Sequence, residues 1–241
     1  MQELQLENLD SCLWALLGGI VPITFWLWFW LREDRAKPEP KALILLAFLG
    51  GIFALIASYL FEYFGSKFII PKDSFYFAIL LTPMVEEIMK FFFASFLVLN
   101  RYENDEPIDP SIYLISTALG FAAVENALFL LDPIIKGDLV ISMATGNLRF
   151  IGATVLHTVS SAAIGICMGL VFYNKLFTKK IMALIGLILA IALHGGFNFL
   201  IMRGEEIDKI TAFGSVWIIV IIILIIFEGI KKIKPKAHRN Y

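Results

Sequence analysis

Two adjacent glutamates and a lysine lie inside a stretch of the sequence that is otherwise apolar. They are Glu86, Glu87 and Lys90, and the hydrophobic run around them covers about residues 75–99. About 20 apolar residues, at a rise of ~1.5 Å each, have the length of a bilayer span. A charged side chain in the middle of a span costs about 2.5–3.5 kcal/mol, so these three groups need polar partners elsewhere in the chain.

Three further apolar stretches carry polar side chains that could be those partners. Residues four apart share one face of an α-helix, so each stretch can turn a polar stripe toward the others. Amides, imidazoles and carboxylates at one depth are the groups that hydrolytic chemistry uses. The polar residues are Glu125 and Asn126 in GFAAVENALF, His157, Ser160 and Ser161 in LHTVSSA, and His194 and Asn198 in LHGGFNF.

Purely structural explanations account for only part of this set. Intramembrane serines such as Ser160 and Ser161 commonly pack helices together. A glutamate and a lysine four apart, such as Glu86 and Lys90, can form a structural ion pair. Neither explanation covers the second glutamate, Glu125 or the two histidines. Ionisable residues inside spans indicate a functional site by default, and we interpret the set in that way.

The composition identifies the chain as a membrane protein. It is 59% hydrophobic with a mean hydropathy of +0.80, and 17% of its residues are charged, against about 25% in soluble proteins. The net charge of −1 argues against a nucleic-acid partner. Cys12 and Cys167 both fall in apolar stretches, so neither a disulfide framework nor a CxxC metal site is expected.

The apolar runs predict an all-α fold, a polytopic transmembrane helical bundle that forms a single domain over residues 1–241. Connections between the runs are short, and no repeat or linker interrupts them. The bundle has about seven predicted spans, at about 11–31, 42–64, 75–99, 111–131, 149–173, 180–202 and 211–230.

Lysines and arginines predict the orientation of the bundle. One side collects 13 of them and the other six, with Lys90 inside a span. Basic residues favour the cytoplasmic side, which places the N-terminus outside and the C-terminus in the cytoplasm. Counted inward at ~1.5 Å per residue, Glu86 lies about 17 Å deep, Glu125 about 9 Å, and the two histidines about 12 Å. We therefore expect a water-containing cavity that opens outward.

The ordered motifs resemble those of the PrsW family of intramembrane proteases. They are more distantly similar to CAAX prenyl proteases and bacteriocin-processing enzymes, across about residues 75–200. The wider group usually has a histidine where this chain has Glu125-Asn126, and an arginine one residue beyond Lys90. Both departures look like the PrsW branch. The matching pieces are Glu86-Glu87-x-x-Lys90, Phe121-x-x-x-Glu125-Asn126, His157 with Ser161, and His194-x-x-x-Asn198.

The resemblance implies an intramembrane endopeptidase in a prokaryotic plasma membrane. Its substrate would be a single-span membrane protein embedded in the lipid bilayer. The cleaved peptide bond would lie near the extracytoplasmic side, as in site-1 cleavage of an anti-sigma factor.

Two mechanisms are compatible with these residue types. Amide hydrolysis needs an activated water, a stabilised oxyanion and a proton for the leaving amine. Without a metal, Glu86 or Glu87 would act as the base and Lys90 would keep one of them ionised. Asn198 and one histidine would then stabilise the oxyanion, while the other histidine orients water or protonates the amine.

With a metal, His157, His194 and a carboxylate would form a zinc site that has an open fourth position. The chain has no HExxH motif, and its two histidines lie on separate predicted helices. The PrsW family is described as metalloprotease-like, and both mechanisms stay open at the level of sequence.

Two other functional classes use similar residues. A proton- or cation-coupled transporter could employ the same carboxylates and histidines as a relay. The sequence has no inverted repeat and no pair of matching broken helices, which are typical of such transporters. A membrane scaffold without catalytic activity would require the polar cluster to be dispensable.

Overall fold

A computed structural model describes the backbone of residues 2–235 and the side chains of residues 10–235. The regular elements of this part are all helical, which confirms the all-α fold. Lys236 and Arg239, two of the 13 basic residues on the predicted cytoplasmic side, lie outside the described residues. The α-helices are α1 (Gln2–Leu31), α2 (Lys41–Phe68), α3 (Thr82–Ala94), α4 (Asp109–Ile135), α5 (Leu139–Leu148), α6 (Thr154–Leu170), α7 (Leu176–Arg203) and α8 (Glu206–Ile230).

Within residues 2–235, six helical stretches are long and apolar enough to cross a membrane. The predicted span at about 75–99 is also helical but is not one of these six. Its α-helical part, α3, has 13 residues and carries three charged side chains. The seven-span count and the orientation of the chain stay predictions. The six stretches are Asp10–Asp34, Lys41–Phe68, Asp109–Ile135, Leu139–Leu170, Leu176–Arg203 and Glu206–Ile230.

Helix α4 forms the centre of the bundle, where it packs against α1, α2, α3 and α6. Its contact with α2 depends on glycine. A Cβ atom added to Gly51 would lie 1.9 Å from the Thr117 carbonyl oxygen, and one added to Gly120 would lie 1.9 Å from the Phe48 oxygen. Such close backbone approach is typical of small residues between membrane helices. It places the polar face of α4 beside α2.

Three π-helical turns surround the polar residues, at Phe77–Leu81, Ser95–Leu99 and Arg149–Ala153. Single π-helical turns are rare and occur frequently at functional sites. The first precedes α3 and packs against α7, where a Cβ atom on Gly195 would meet the Ile79 carbonyl oxygen at 2.5 Å. The α3 segment is therefore flanked by irregular turns and supported by a close backbone contact.

The connection predicted at about 132–148 contains a helix of its own, α5. The Asp138 side chain caps it by accepting a hydrogen bond from the Ile141 backbone N–H at 2.9 Å. The turn Arg149–Ala153 then leads directly into α6. This path brings Arg149, a residue at the edge of the predicted fifth span, against the side chains of α4.

Candidate active site

Helix α3 brings its charged residues into the interior of the bundle. Glu86 is 6% exposed, and Glu87 and Lys90 are 0% exposed. On another face of the same helix Phe92 is exposed. The charged groups that lipid would reject are thus surrounded by protein, as the energetic argument from the sequence requires.

Lys90 is paired with Glu87. The Lys90 ammonium donates to Glu87 Oε1 at 2.7 Å and to His157 Nδ1 at 3.0 Å. Its charge also lies 4.8 Å from the centre of the Phe121 ring. The ammonium thus holds Glu87, three residues before it, rather than Glu86, four residues before it. Glu86 instead faces the two imidazoles and the cleft beside α2.

Each of the two histidines lies between two carboxylates. His194 Nδ1 is 2.8 Å from Glu87 Oε1, and His157 Nε2 is 2.8 Å from Glu125 Oε2. Because a carboxylate accepts hydrogen bonds, we assign the imidazole protons to these two nitrogens. The other nitrogens lie near Glu86 Oε2, His194 Nε2 at 3.8 Å and His157 Nδ1 at 4.0 Å.

Arg149 completes the site and was missed as a functional residue by sequence reasoning. Its guanidinium forms an ion pair with Glu125 Oε2, and its Nε donates to Asn126 Oδ1 at 2.6 Å. The Asn126 amide in turn donates to Thr154 Oγ1 at 3.0 Å. One feature of the sequence could have identified Arg149 as a site residue. It is the first residue of a predicted span and lies close to the polar LHTVSSA stretch.

Three of the predicted polar residues lie outside this hydrogen-bond network. The Asn198 amide donates to the Ala78 carbonyl oxygen at 3.0 Å and so satisfies an acceptor in the first π-helical turn. Ser160 and Ser161 are fully buried, and within residues 10–235 their hydroxyls have no hydrogen-bond partner. The serines therefore fit the packing role considered above.

Glu86, His157 and His194 can hold a metal ion. Each offers one ligand atom, and these three atoms lie within 4.8 Å of one another. Glu86 Oε2 is buried and has no hydrogen-bond partner among the described residues. Two imidazoles and one carboxylate are a known ligand set for catalytic zinc. Carboxylates on the remote imidazole nitrogens, here Glu87 and Glu125, are typical of histidines that bind metal.

Lys90 would compete with a metal ion for one atom of this donor set. Its ammonium uses the same His157 Nδ1 lone pair that a metal would take. Metal binding at that nitrogen therefore requires this hydrogen bond to open. The ion pair with Glu87 would then remain to hold the Lys90 side chain.

A cleft leads to the site between α2, α3 and α4. It has a volume of about 330 Å³, and Glu86 and Glu125 form part of its wall. On the α2 side, Ser58 and Glu62 line it. Glu62 lies near the C-terminal end of α2, and the structure places it, half-buried, in the cleft.

The sequence matches one protein-family model over residues 39–226. That family is described as the PrsW family intramembrane metalloprotease. The matched range contains every polar residue that the sequence placed in the site, as well as Arg149 and Glu62.

Several bacterial proteins named Protease PrsW are similar to this chain. The one from Geobacillus kaustophilus (strain HTA426) is 27% identical over 192 residues, which cover 78% of this chain and 80% of the relative. The one from Bacillus subtilis (strain 168) is 23% identical over 184 residues, with 76% and 81% covered. The one from Clostridioides difficile (strain 630) is 25% identical over 191 residues, with 77% and 78% covered. No solved structure matches the chain.

Proposed function

The chain belongs to the PrsW family of intramembrane metalloproteases, and we propose that it hydrolyses a peptide bond of a single-span membrane protein near the extracytoplasmic face. Membrane protease activity follows from the family; the single-span substrate and the side of cleavage are our proposal. The observation that supports this proposal is the convergence of Glu86, His157 and His194 beside a cleft. We treat residues 1–241 as one membrane domain, since the helices pack around α4.

We assign zinc to Glu86 Oε2, His157 Nδ1 and His194 Nε2. A zinc ion held by three protein ligands supplies an acidified water and polarises a carbonyl group. Glu87 and Glu125 each accept the N–H of one imidazole, which keeps the other nitrogen unprotonated and directed at Glu86. The donor set and its supporting carboxylates support this assignment.

The protein's own groups handle the protons and the charge. In the mechanism without a metal, Glu86 would instead accept a proton from the attacking water and pass it to the leaving amine. Lys90 provides a fixed positive charge beside Glu86, His157 and His194, and it forms an ion pair with Glu87. Asn198 is not assigned to the oxyanion, because its amide already donates to the Ala78 carbonyl oxygen.

The finer part of the proposal is that the substrate is an anti-sigma factor cut at site 1. The family resemblance implies this substrate. A membrane-anchored substrate is supported by the position of the polar site, which lies among helices that are long and apolar enough to cross the membrane. The predicted orientation would open the cleft to the outside.

Reconstitution tests the proposed activity. Purified wild type and Glu86→Gln are placed in proteoliposomes with a library of single-span peptides whose dozen extracytoplasmic residues are randomised. We expect wild type to release products that mass spectrometry identifies, and Glu86→Gln to release none. Glu205→Gln, an exposed change between α7 and α8, is the matched control and should behave as wild type. Absence of products, together with wild-type proton or cation flux that Glu86→Gln lacks, would favour a transporter instead.

A further inference from the structure

Glu62 is a half-buried carboxylate to which the mechanism above gives no role. It projects from α2 into the cleft that leads to Glu86 and Glu125. Within residues 10–235 it has neither a hydrogen bond nor an ion pair. Glu62 also lines an adjoining cavity of about 70 Å³ together with Lys72, but the two side chains do not form an ion pair. An ionisable group kept in a membrane-embedded position without a partner indicates a ligand that supplies one.

The charged residues of the cleft wall also indicate a ligand with a positive charge. Glu62, Glu86 and Glu125 all line it, whereas no lysine, arginine or histidine of the described residues does. Arg149 neutralises Glu125 from behind, and Glu86 faces the two imidazoles. Glu62 is therefore the carboxylate in this wall that forms no ion pair and contacts no imidazole in the described part of the chain. A ligand in the cleft would find this unpaired carboxylate on the α2 side.

A second unused polar group lies on the same face of α2. Ser58 is four residues before Glu62, so the two side chains point in the same direction. Ser58 is 1% exposed, and in the part of the chain that the structure describes its hydroxyl has no hydrogen-bond partner. A hydroxyl can both donate and accept, and an extended peptide presents both backbone N–H and C=O groups. Ser58 and Glu62 thus offer a peptide one backbone contact and one charged contact.

We propose that the cleft between α2 and α4 binds the extended substrate segment around the scissile bond, and that Glu62 selects substrates with a lysine or arginine close to that bond. This inference rests on the proposed function. The cleft is continuous with the set of Glu86, His157 and His194, since Glu86 belongs to both. Its unmatched carboxylate is complementary to a basic side chain, and opposite charges across an interface provide specificity.

The randomised peptide library in proteoliposomes also tests this inference. Products are sequenced for wild type, Glu62→Gln and Glu62→Lys, and enrichment of Lys/Arg over Asp/Glu is calculated at each position around the cleavage site. We expect wild type to prefer basic residues by ~10-fold or more at one or two positions, which corresponds to about 1.4 kcal/mol, because opposite charges in contact across an interface provide specificity.

The variants should change that preference while cleavage continues. Glu62→Gln should reduce it to less than about threefold, and Glu62→Lys should reverse it toward acidic residues, because like charges in contact repel. Glu205→Gln is the control for loss of one exposed carboxylate. Thermal unfolding of each variant checks that it is folded, and the wild-type profile alone is a measurement that no folding defect can affect.

Each failure has its own signature. If wild type cleaves library members without any charge preference, or if Glu62→Gln keeps the wild-type preference, the inference is wrong and the proposed function stands. If wild type cleaves no member of the library, the proposed function fails and this inference fails with it.

Discussion

Two clusters of buried carboxylates lie about 24 Å apart along α4, and they are stabilised in different ways. The first is the candidate active site, which includes Glu125 on α4. The second lies at the start of the same helix, where Asp109 meets the loop between α1 and α2. It consists of Asp34, Glu39, Glu106 and Asp109.

The second cluster is held mainly by neutral hydrogen bonds from its own loops. Asp109 Oδ2 accepts from the backbone N–H groups of Asp105 at 2.9 Å and Glu106 at 2.6 Å. Asp34 Oδ2 accepts from the Glu39 backbone N–H at 3.1 Å. The Tyr113 hydroxyl donates to the Glu39 carboxylate. These bonds join the first loop to the beginning of α4.

The active-site cluster instead obtains cations and imidazoles from distant parts of the chain. Lys90 pairs with Glu87, and Arg149 pairs with Glu125. The difference teaches how to separate function from folding among buried acids. Carboxylates matched by cations and directed at histidines are positioned to act on a substrate. Carboxylates bonded to nearby backbone N–H groups hold loops together.

The largest expected difference between the two clusters is catalytic. Glu86→Gln should lower peptide cleavage by ~10²–10⁴-fold or more, because it removes a ligand of the proposed zinc or, in the mechanism without a metal, the proton acceptor. Glu87→Gln should also remove most activity, because it removes the negative charge that pairs with Lys90 and polarises His194. Glu39→Gln in the other cluster should leave the cleavage rate within about twofold of wild type. Product release from proteoliposomes measures all three.

Retained activity in both Glu86→Gln and Glu87→Gln would contradict the assignment of the active site. Activity lost in Glu39→Gln to the same extent would remove the distinction between the two clusters. Size-exclusion profiles of the purified variants show whether each is folded.

The next contrast is metal content. His157→Ala and His194→Ala should each lose stoichiometric zinc together with activity, since a catalytic zinc with three protein ligands binds poorly when one is missing. Asp34→Asn, in the all-carboxylate cluster, should keep the metal. Elemental analysis of purified protein measures the zinc, and chelation followed by an activity assay links it to catalysis. A fully active wild type that contains no metal would rule the zinc site out and leave Glu86 as the activator of water.

Arg149 provides a smaller contrast within the active site itself. Arg149→Gln should lower activity and zinc affinity by ~10–100-fold, because Glu125 would lose its cation and orient His157 less firmly. Arg149→Lys should recover part of that loss, since a lysine keeps the charge but cannot bond Glu125 and Asn126 together. Arg203→Gln, an exposed change at the end of α7, is the matched control. Equal zinc affinity in Arg149→Gln and wild type would reduce Arg149 to a packing role.

The sequence predicted the helices and the members of the site better than it predicted their pairing. Long apolar runs predicted the bundle because lipid admits only structures that satisfy their own backbone hydrogen bonds. Spacing by four placed each polar pair on one face, and Glu86, Glu125, His157 and His194 do converge. Yet spacing alone suggested that Glu86 was the partner of Lys90, whereas the structure pairs Lys90 with Glu87.

The errors have a common physical origin. The rotation of each helix about its axis depends on packing contacts between distant segments, such as the glycine contact of α2 with α4. That rotation turns Glu62 into the cleft and Asn198 toward the Ala78 carbonyl oxygen. Arg149 reaches Glu125 because α5 and a π-helical turn connect α4 to α6. None of these contacts follows from the periodicity of a single segment.

The smallest expected effect concerns stability in the second cluster. Burial raises the pKa of the Glu39 carboxyl from 4.5 to about 8, the negative charge of Asp109 acts in the same direction, and the hydrogen bond from Tyr113 opposes both. The folded protein therefore holds a proton at Glu39 that the unfolded chain releases above about pH 4.5. The stability gained from that proton is fully present below about pH 4.5 and is lost as the pH rises through about 8. The melting temperature of wild type should fall across this window.

Glu39→Gln should flatten that dependence. A neutral amide can still accept from Tyr113, and it never acquires the charge that Asp34, Glu106 and Asp109 repel. We expect the variant to melt on the order of 2–4 °C higher than wild type near pH 8 and at nearly the same temperature near pH 5. Melting curves in detergent across pH 5–8.5 measure this, with Glu205→Gln as the control. Parallel pH profiles for Glu39→Gln and wild type would show that the second cluster stays ionised, and the contrast between the clusters would then lie in catalysis alone.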